Sequence, residues 1–141
     1  PIIAEPVSPV VEESVEVGVA VLHRCSDGVI EIRMNQGSRV GLDEIEEVLQ
    51  AQVKMTPKMA AVLVDARGTV SMTREAQERT ANNPVNDRTA ATAILVKSPV
   101  SALLGNFFIR FARPPYPARL FRDEAAARAW ILEHLAKRLD V

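Results

Sequence analysis

Cysteine is almost missing from this chain: Cys25 stands alone among 141 residues. A single thiol permits neither an internal disulfide nor a multi-thiolate metal cluster, and it suits a reducing compartment. No stretch reaches about 18 uninterrupted apolar residues, which argues against a membrane-spanning helix, and the N-terminus lacks the basic start and apolar core of a secretory signal. A cytoplasmic location is expected. Charge of one sign is not in excess either. The formal net charge is -1 and the sequence pI is near 6.2, so the molecule as a whole has no electrostatic reason to seek nucleic acid or anionic lipid. The usual metal-ligand spacings are absent, as is a glycine-rich loop of phosphate-cradling spacing. No metal and no cofactor is expected.

What is there suffices for a fold. A chain of this length, 48% hydrophobic, can bury a core without staples. Ala60-Ala61-Val62-Leu63-Val64-Asp65 is a short, valine-rich apolar run, which reads as a strand covered on both faces and therefore central. Ala93-Ile94-Leu95-Val96-Lys97 repeats the pattern after an intervening helical segment. Strand and helix thus alternate around a mainly parallel sheet.

Residues 1–14 carry Pro1, Pro6 and Pro9 with Glu5, Glu12 and Glu13, and are expected as an extended or disordered tail. Residues 15–141 then form a single α/β domain. Val15 to His23 and Val29 to Met34 bracket Ser26-Asp27-Gly28, the signature of an antiparallel hairpin with a positive φ at Gly28. Asn35 to Gly41 reads as a loop, and Leu42 to about Met55 as an amphipathic helix with Leu42, Ile45, Val48, Leu49 and Val53 on one face. A second, thinner helix runs from Arg74 to about Asn83, capped by Ser71 or Thr73. Ser98-Pro99 opens a third, whose Val100, Leu103, Leu104, Phe107, Phe108 and Phe111 follow helical spacing. Ala118-Arg119-Leu120-Phe121 is a short strand, and Asp123 caps a last helix that turns Ala127, Trp130, Ile131 and Leu135 inward. The fold class expected is α/β with a mixed, mainly parallel sheet, an N-terminal antiparallel hairpin and four helices.

The helix leading into Ala61-Val62-Leu63-Val64-Asp65, the later strands, and above all Phe121-Arg122-Asp123-Glu124-Ala125-Ala126-Ala127-Arg128-Ala129-Trp130-Ile131 resemble the SpoIIAA-like domains, relatives of the STAS domains. That last segment is similar to the Phe-Asp-x-x-x-Ala-x-x-Trp-Leu ending of the group. The resemblance covers about Val15 to Leu139 and implies a regulatory or ligand-binding module, generally without enzymatic activity. STAS regulators carry a phosphorylated Ser in an Asp-Ser pair followed by Gly, at the start of the helix after the central strand. The matching stretch here, Asp65-Ala66-Arg67-Gly68-Thr69-Val70-Ser71-Met72-Thr73, has no such motif. Ser71 and Thr73 are the candidate phosphoacceptors, with helix capping as their competing role.

Independently of any family, ligands of parallel α/β sheets gather at the strand carboxyl ends. That edge should collect Asp65, Arg67 and Thr69 from one strand, Lys97 and Ser98 from the next, and Arg122 from the last, a set suited to an anion. Arg110 to Arg122 holds four arginines and no acid, but the acidic pI weighs against nucleic acid. Phe107, Phe108 and Ile109 are consecutive on a helix and cannot all face one core, so one is expected at a partner surface, with a homodimer as its best use.

Catalytic readings are thin. His23 and Cys25 share a strand face without a third group to orient the histidine, and Glu46 and Glu47, being adjacent, point to different sides of their helix. His134 lies among Ala, Leu and Glu on the last helix. The expectation is a non-catalytic, STAS-related regulatory or protein-interaction module with an unidentified protein partner. The alternative is a domain binding an anionic or apolar small molecule between the third helix and the sheet; an enzyme of unrecognised class comes third.

Overall fold

The computed structural model describes Pro9 to Asp140, with the backbone alone for Val100, Ser101, Leu104, Phe107, Phe111 and Ala112. Eight strands and four α-helices follow in the order β1 (Val11–Glu16), β2 (Ala20–Cys25), β3 (Val29–Met34), β4 (Ser38–Val40), α1 (Leu42–Met55), β5 (Ala60–Asp65), β6 (Thr69–Met72), α2 (Arg74–Thr80), β7 (Thr89–Leu95), α3 (Pro99–Ala112), β8 (Ala118–Phe121) and α4 (Glu124–Leu139). The main sheet has the order β1-β2-β3-β5-β7-β8. Its first two pairings are antiparallel, and β3, β5, β7 and β8 run parallel. The valine-rich β5 therefore sits between two parallel neighbours, which is what a run without polar alternation requires.

The sheet's faces are closed differently. Alternation along β5 sends Ala60, Val62 and Val64 to a core shared with Ile45, Val48 and Leu49 of α1. Ala61 and Leu63 go to the other face, with Ala91, Ala93 and Leu95 of β7 and with Ala127, Ile131 and Leu135 of α4. Those alanines let α4 lie close on the strands. Trp130 seals the side of this contact, its ring 5.6 Å from that of Phe121. Asp123 caps α4 by accepting the Ala126 N–H at 2.9 Å, as the residue type demands.

Several elements depart from expectation. Val15 to His23 is not one strand: Gly18 and Val19 form a tight loop, closed by the Val17 N–H donating to the Ala20 carbonyl at 2.9 Å. The chain therefore enters as a third antiparallel strand, and the tail expected through Ser14 gives way to paired backbone, with the Val10 N–H donating to Ser26 Oγ at 2.9 Å. Residues 1–8 of that tail lie outside the described residues. The loop expected over Asn35 to Gly41 contains β4, which pairs in parallel with β6 in a second small sheet. Because β3 and β5 are parallel neighbours, the segments that leave them continue side by side, a tertiary effect that three- and four-residue strands cannot advertise. The main strand β7 begins at Thr89, four residues early, because its Ala90 and Ala91 serve close helix packing and so carry no strand signal of their own. Leu42 is 45% exposed at the first position of α1.

Gly28 holds a φ of 91° in the β2–β3 turn, as the Ser-Asp-Gly signature requires. Gly68 is constrained by contact instead. A Cβ there would lie 2.7 Å from the Asn35 carbonyl oxygen and 2.9 Å from Gln36 Cα. Both are backbone atoms, which cannot swing aside. We expect Gly68→Ala to lose about 1–3 kcal/mol of unfolding free energy, measured by urea denaturation; a loss below about 0.5 kcal/mol would show that β4 and β6 separate freely.

Candidate functional site

On the face covered by α4, the penultimate residue of β3 and the last of β5 carry charge. Arg33 and Asp65 are opposite one another in the parallel register, and Glu124 opens α4 above them. One guanidinium joins all three: Arg33 Nη1 donates to Asp65 Oδ2 at 3.1 Å and to Glu124 Oε1 at 2.8 Å, and Nη2 donates to Glu124 Oε2 at 3.1 Å. Arg67 donates through Nε and Nη2 to Asp65 at 2.9 and 2.8 Å, and its backbone N–H bonds the same carboxylate at 3.1 Å. One turn along α4, Arg128 reaches Asp27 at 2.8 Å and also binds Glu31. Glu31 in turn accepts from Arg33 at 3.3 Å.

Four carboxylates and three arginines thus form one lattice. Burial pushes the Asp65 carboxyl up, but its bonds from Arg67 and Arg33 outweigh this and hold it below the ordinary range. The Arg33 hydrogen bond, against a smaller opposing effect of burial, holds Glu124 down as well. Burial alone would lower Arg128, but Asp27 and Glu31 reverse the sign and raise it.

The residues expected at an anion site are brought together only in part. An open groove of about 510 Å³ above the strand ends is lined by Asp65, Arg67, Lys97 and Arg122, with Met34, Gln36, Gly68 and Val96. Thr69 faces away from it, into a different cavity, and Ser98 is exposed outside it. Arg67 is engaged with Asp65 and, at 3.3 Å, with Glu124.

That different cavity lies on the opposite face, between the sheet and α1, α2 and α3. It is partly open, holds about 140 Å³, and has an almost wholly apolar lining that includes Ile32, Val62, Val64, Ile94, Leu49 and Phe108. It exists because α2 has only seven residues, about 10 Å of helix, too little to fill the space beside α1. Two polar pairs also line it. Asn83 donates its amide to Gln52 at 2.9 Å, and Tyr116, whose phenol burial pushes up, is hydrogen-bonded with Thr92.

The remaining candidates fall elsewhere. Phe108 lines this cavity, Ile109 is half-buried, and the Phe107 side chain lies outside the described residues. Thr73 caps α2, accepting the Ala76 N–H at 3.2 Å, whereas Ser71 lies within β6 beside Arg39 and caps nothing. His23 Nδ1 meets Ser14 Oγ at 2.7 Å. Burial raises the Cys25 thiol, against a hydrogen bond from Arg128, the opposite of an activated nucleophile. His134 packs edge-on to Trp130. Glu46 pairs with Arg79, and Glu47 accepts the Gly18 N–H at 3.2 Å. Among the described residues no three His, Cys, Asp or Glu side chains converge as metal ligands, and no helix is long and apolar enough to cross a membrane.

Sequence reasoning passed over Glu31, Arg33, Glu124 and Arg128. A signal was present: Glu31 and Arg33 alternate with Ile30, Ile32 and Met34 in a strand, and Glu124 and Arg128 are four apart on a helix. Charges at both periods predict a strand face and a helix face that meet.

The sheet order and closing helix define an α/β domain of the SpoIIAA-like fold. The chain is similar to the crystal structure of an uncharacterized protein from the DUF3478 family with a SpoIIAA-like fold from Shewanella loihica PV-4, with a TM-score of 0.57 over 79% of this chain and 91% of that one, at 13% identity. It belongs to the DUF7793 family, a domain of unknown function, whose model matches residues 23–135. No curated protein matches it.

Asp65 and Glu124 have folded pKa values below their ordinary, unfolded ones. Each therefore stabilises the fold fully above the ordinary carboxylate range, and that contribution is lost as pH falls through the folded value. We expect urea midpoints to drop on acidification below about pH 4, and Glu124→Gln to lower the neutral midpoint while flattening the acid limb. An acid limb unchanged in the variant would remove Glu124 from the lattice's energetics.

Proposed function

We propose that this domain is a non-catalytic binding module that holds a small apolar molecule between α3 and the sheet. The observation behind this reading is the 140 Å³ cavity, with its hydrophobic lining and its two hydrogen-bonded polar pairs. Ligand sites are typically concave and apolar with a few placed polar groups, and a dry cavity of about 150 Å³ in another protein admits a benzene-sized guest. The engaged histidines and the buried thiol are consistent with a role that involves no bond chemistry. The test is a thermal unfolding series with toluene. Binding to the folded state alone raises Tm with concentration, and Val64→Phe, which puts bulk into the cavity, should abolish the rise. A Tm insensitive to toluene would count against the reading.

One observation favours a second reading, contact with a protein partner or a second copy as in a regulatory module of the STAS-related type. Leu103 of α3 stands 71% exposed on the helix that also walls the cavity. If α3 is a contact surface, Leu103→Glu should turn any dimer seen by sedimentation into monomer, with no change in the toluene response.

A further inference from the structure

The apolar cavity and the charged groove share a wall. Met34, the last residue of β3, lines both. The chain leaving β5 is divided between them: Val64, Ala66 and Thr69 line the cavity, and Asp65, Arg67 and Gly68 line the groove. Ile94 of β7 lines the cavity, and Val96, the residue just past the end of that strand, lines the groove. Two residues along a strand advance about 6.6 Å on one face. The two spaces therefore lie within the length of one small organic molecule, separated by a thioether side chain of high conformational freedom.

Their chemistry is complementary. The cavity has room for a body of about one aromatic ring and offers it almost no charge. The groove is lined by three cations, Arg67, Lys97 and Arg122, against one carboxylate, Asp65. Arg67 and Asp65 are bound to each other through two side-chain bonds at 2.8 and 2.9 Å; the other two cations of the lining are Lys97 and Arg122. Both are exposed at the rim.

From this we infer that the molecule held by the domain is a small organic carboxylate, its apolar body in the cavity and its carboxylate in the groove beside Arg122 and Lys97, with Met34 displaced at the junction. The inference rests on the cavity reading given above and adds the head group to it. It specifies a free monocarboxylate, because a cavity of 140 Å³ is too small for a long acyl chain.

Calorimetric titration of the purified chain with hydrocinnamate, and with its neutral counterpart hydrocinnamyl alcohol, tests it. The two probes share the apolar body and differ in the head. Hydrocinnamate should bind at least about tenfold more tightly, the gain typical of a charge-assisted contact. Lys97→Ala combined with Arg122→Ala should erase that difference while leaving the alcohol's affinity unchanged, which also shows that the variant is folded. In Val64→Phe, hydrocinnamate binding should be lost. Equal affinities for acid and alcohol in the unmodified chain would overturn the head-group assignment and leave the cavity reading standing. Acid binding that survives Val64→Phe would overturn it too, by placing the carboxylate in the groove without the cavity. Toluene binding without either probe would again remove only the head group, whereas failure of toluene and both probes would remove the cavity reading and this inference together.

Discussion

One guanidinium holds the upper end of this molecule in register. Arg33 reaches its own strand through Glu31, the adjacent strand through Asp65 and the closing helix through Glu124. The helix needs that help. The buried stripe of α4 is Ala127, Ile131 and Leu135, one residue wide and wholly apolar, and such a stripe resists separation far better than it resists sliding or rotation. Glu124 and Arg128, four residues apart and each tied to charged partners on the strands, fix both of those motions. Arg33 keeps 29% of its side chain exposed and Glu124 39%, so solvent screens the pairs and each adds little stability. Their role is to make one placement of α4 better than its neighbours.

The two faces of the sheet solve opposite packing problems. Beneath α4 the strands carry Ala61, Ala91 and Ala93, small side chains buried in one cluster with Ala127, Ile131 and Leu135 of the helix. Beneath α1, α2 and α3 the strands carry Ile32, Val62, Val64 and Ile94, and the covering layer is three helices of unequal length. A partly open space of about 140 Å³ leaves the apolar side chains that line it short of packing partners, which costs stability. A guest of the right size would return part of that cost, and this coupling ties occupancy of the cavity to stability.

The elements legible in the sequence were the ones whose own residues carry the reason for their shape. Ala60 to Asp65 announces a central strand by its unbroken apolar run, Asp123 announces the cap of α4, and Ser26-Asp27-Gly28 announces a turn. What was not legible depends on neighbours. Ser38 to Val40 is a strand only because Thr69 to Met72 runs beside it, and Ala90 and Ala91, weak strand formers, are strand residues because β7 is held between β5 and β8. The candidate site divides along the same line. Asp65, Arg67, Lys97 and Arg122 share an edge because strand direction alone puts them there. Thr69 departs because it already lies on the small sheet, where its hydroxyl is 3.4 Å from that of Ser38. A ligand between the third helix and the sheet was an expectation, but the cavity's size and lining could not be read, since a void is a property of what fails to meet.

Cys25 is the chain's one sulfhydryl, and it is sealed 3% exposed beneath the closing helix, where burial keeps it in its unreactive protonated form. An alkylating reagent in solution can reach it only when α4 lifts away from β2 and β3 or the whole domain opens. The molecule thereby carries its own chemical clock: the rate at which that sulfur is consumed under native conditions reports how often this half of the core comes apart.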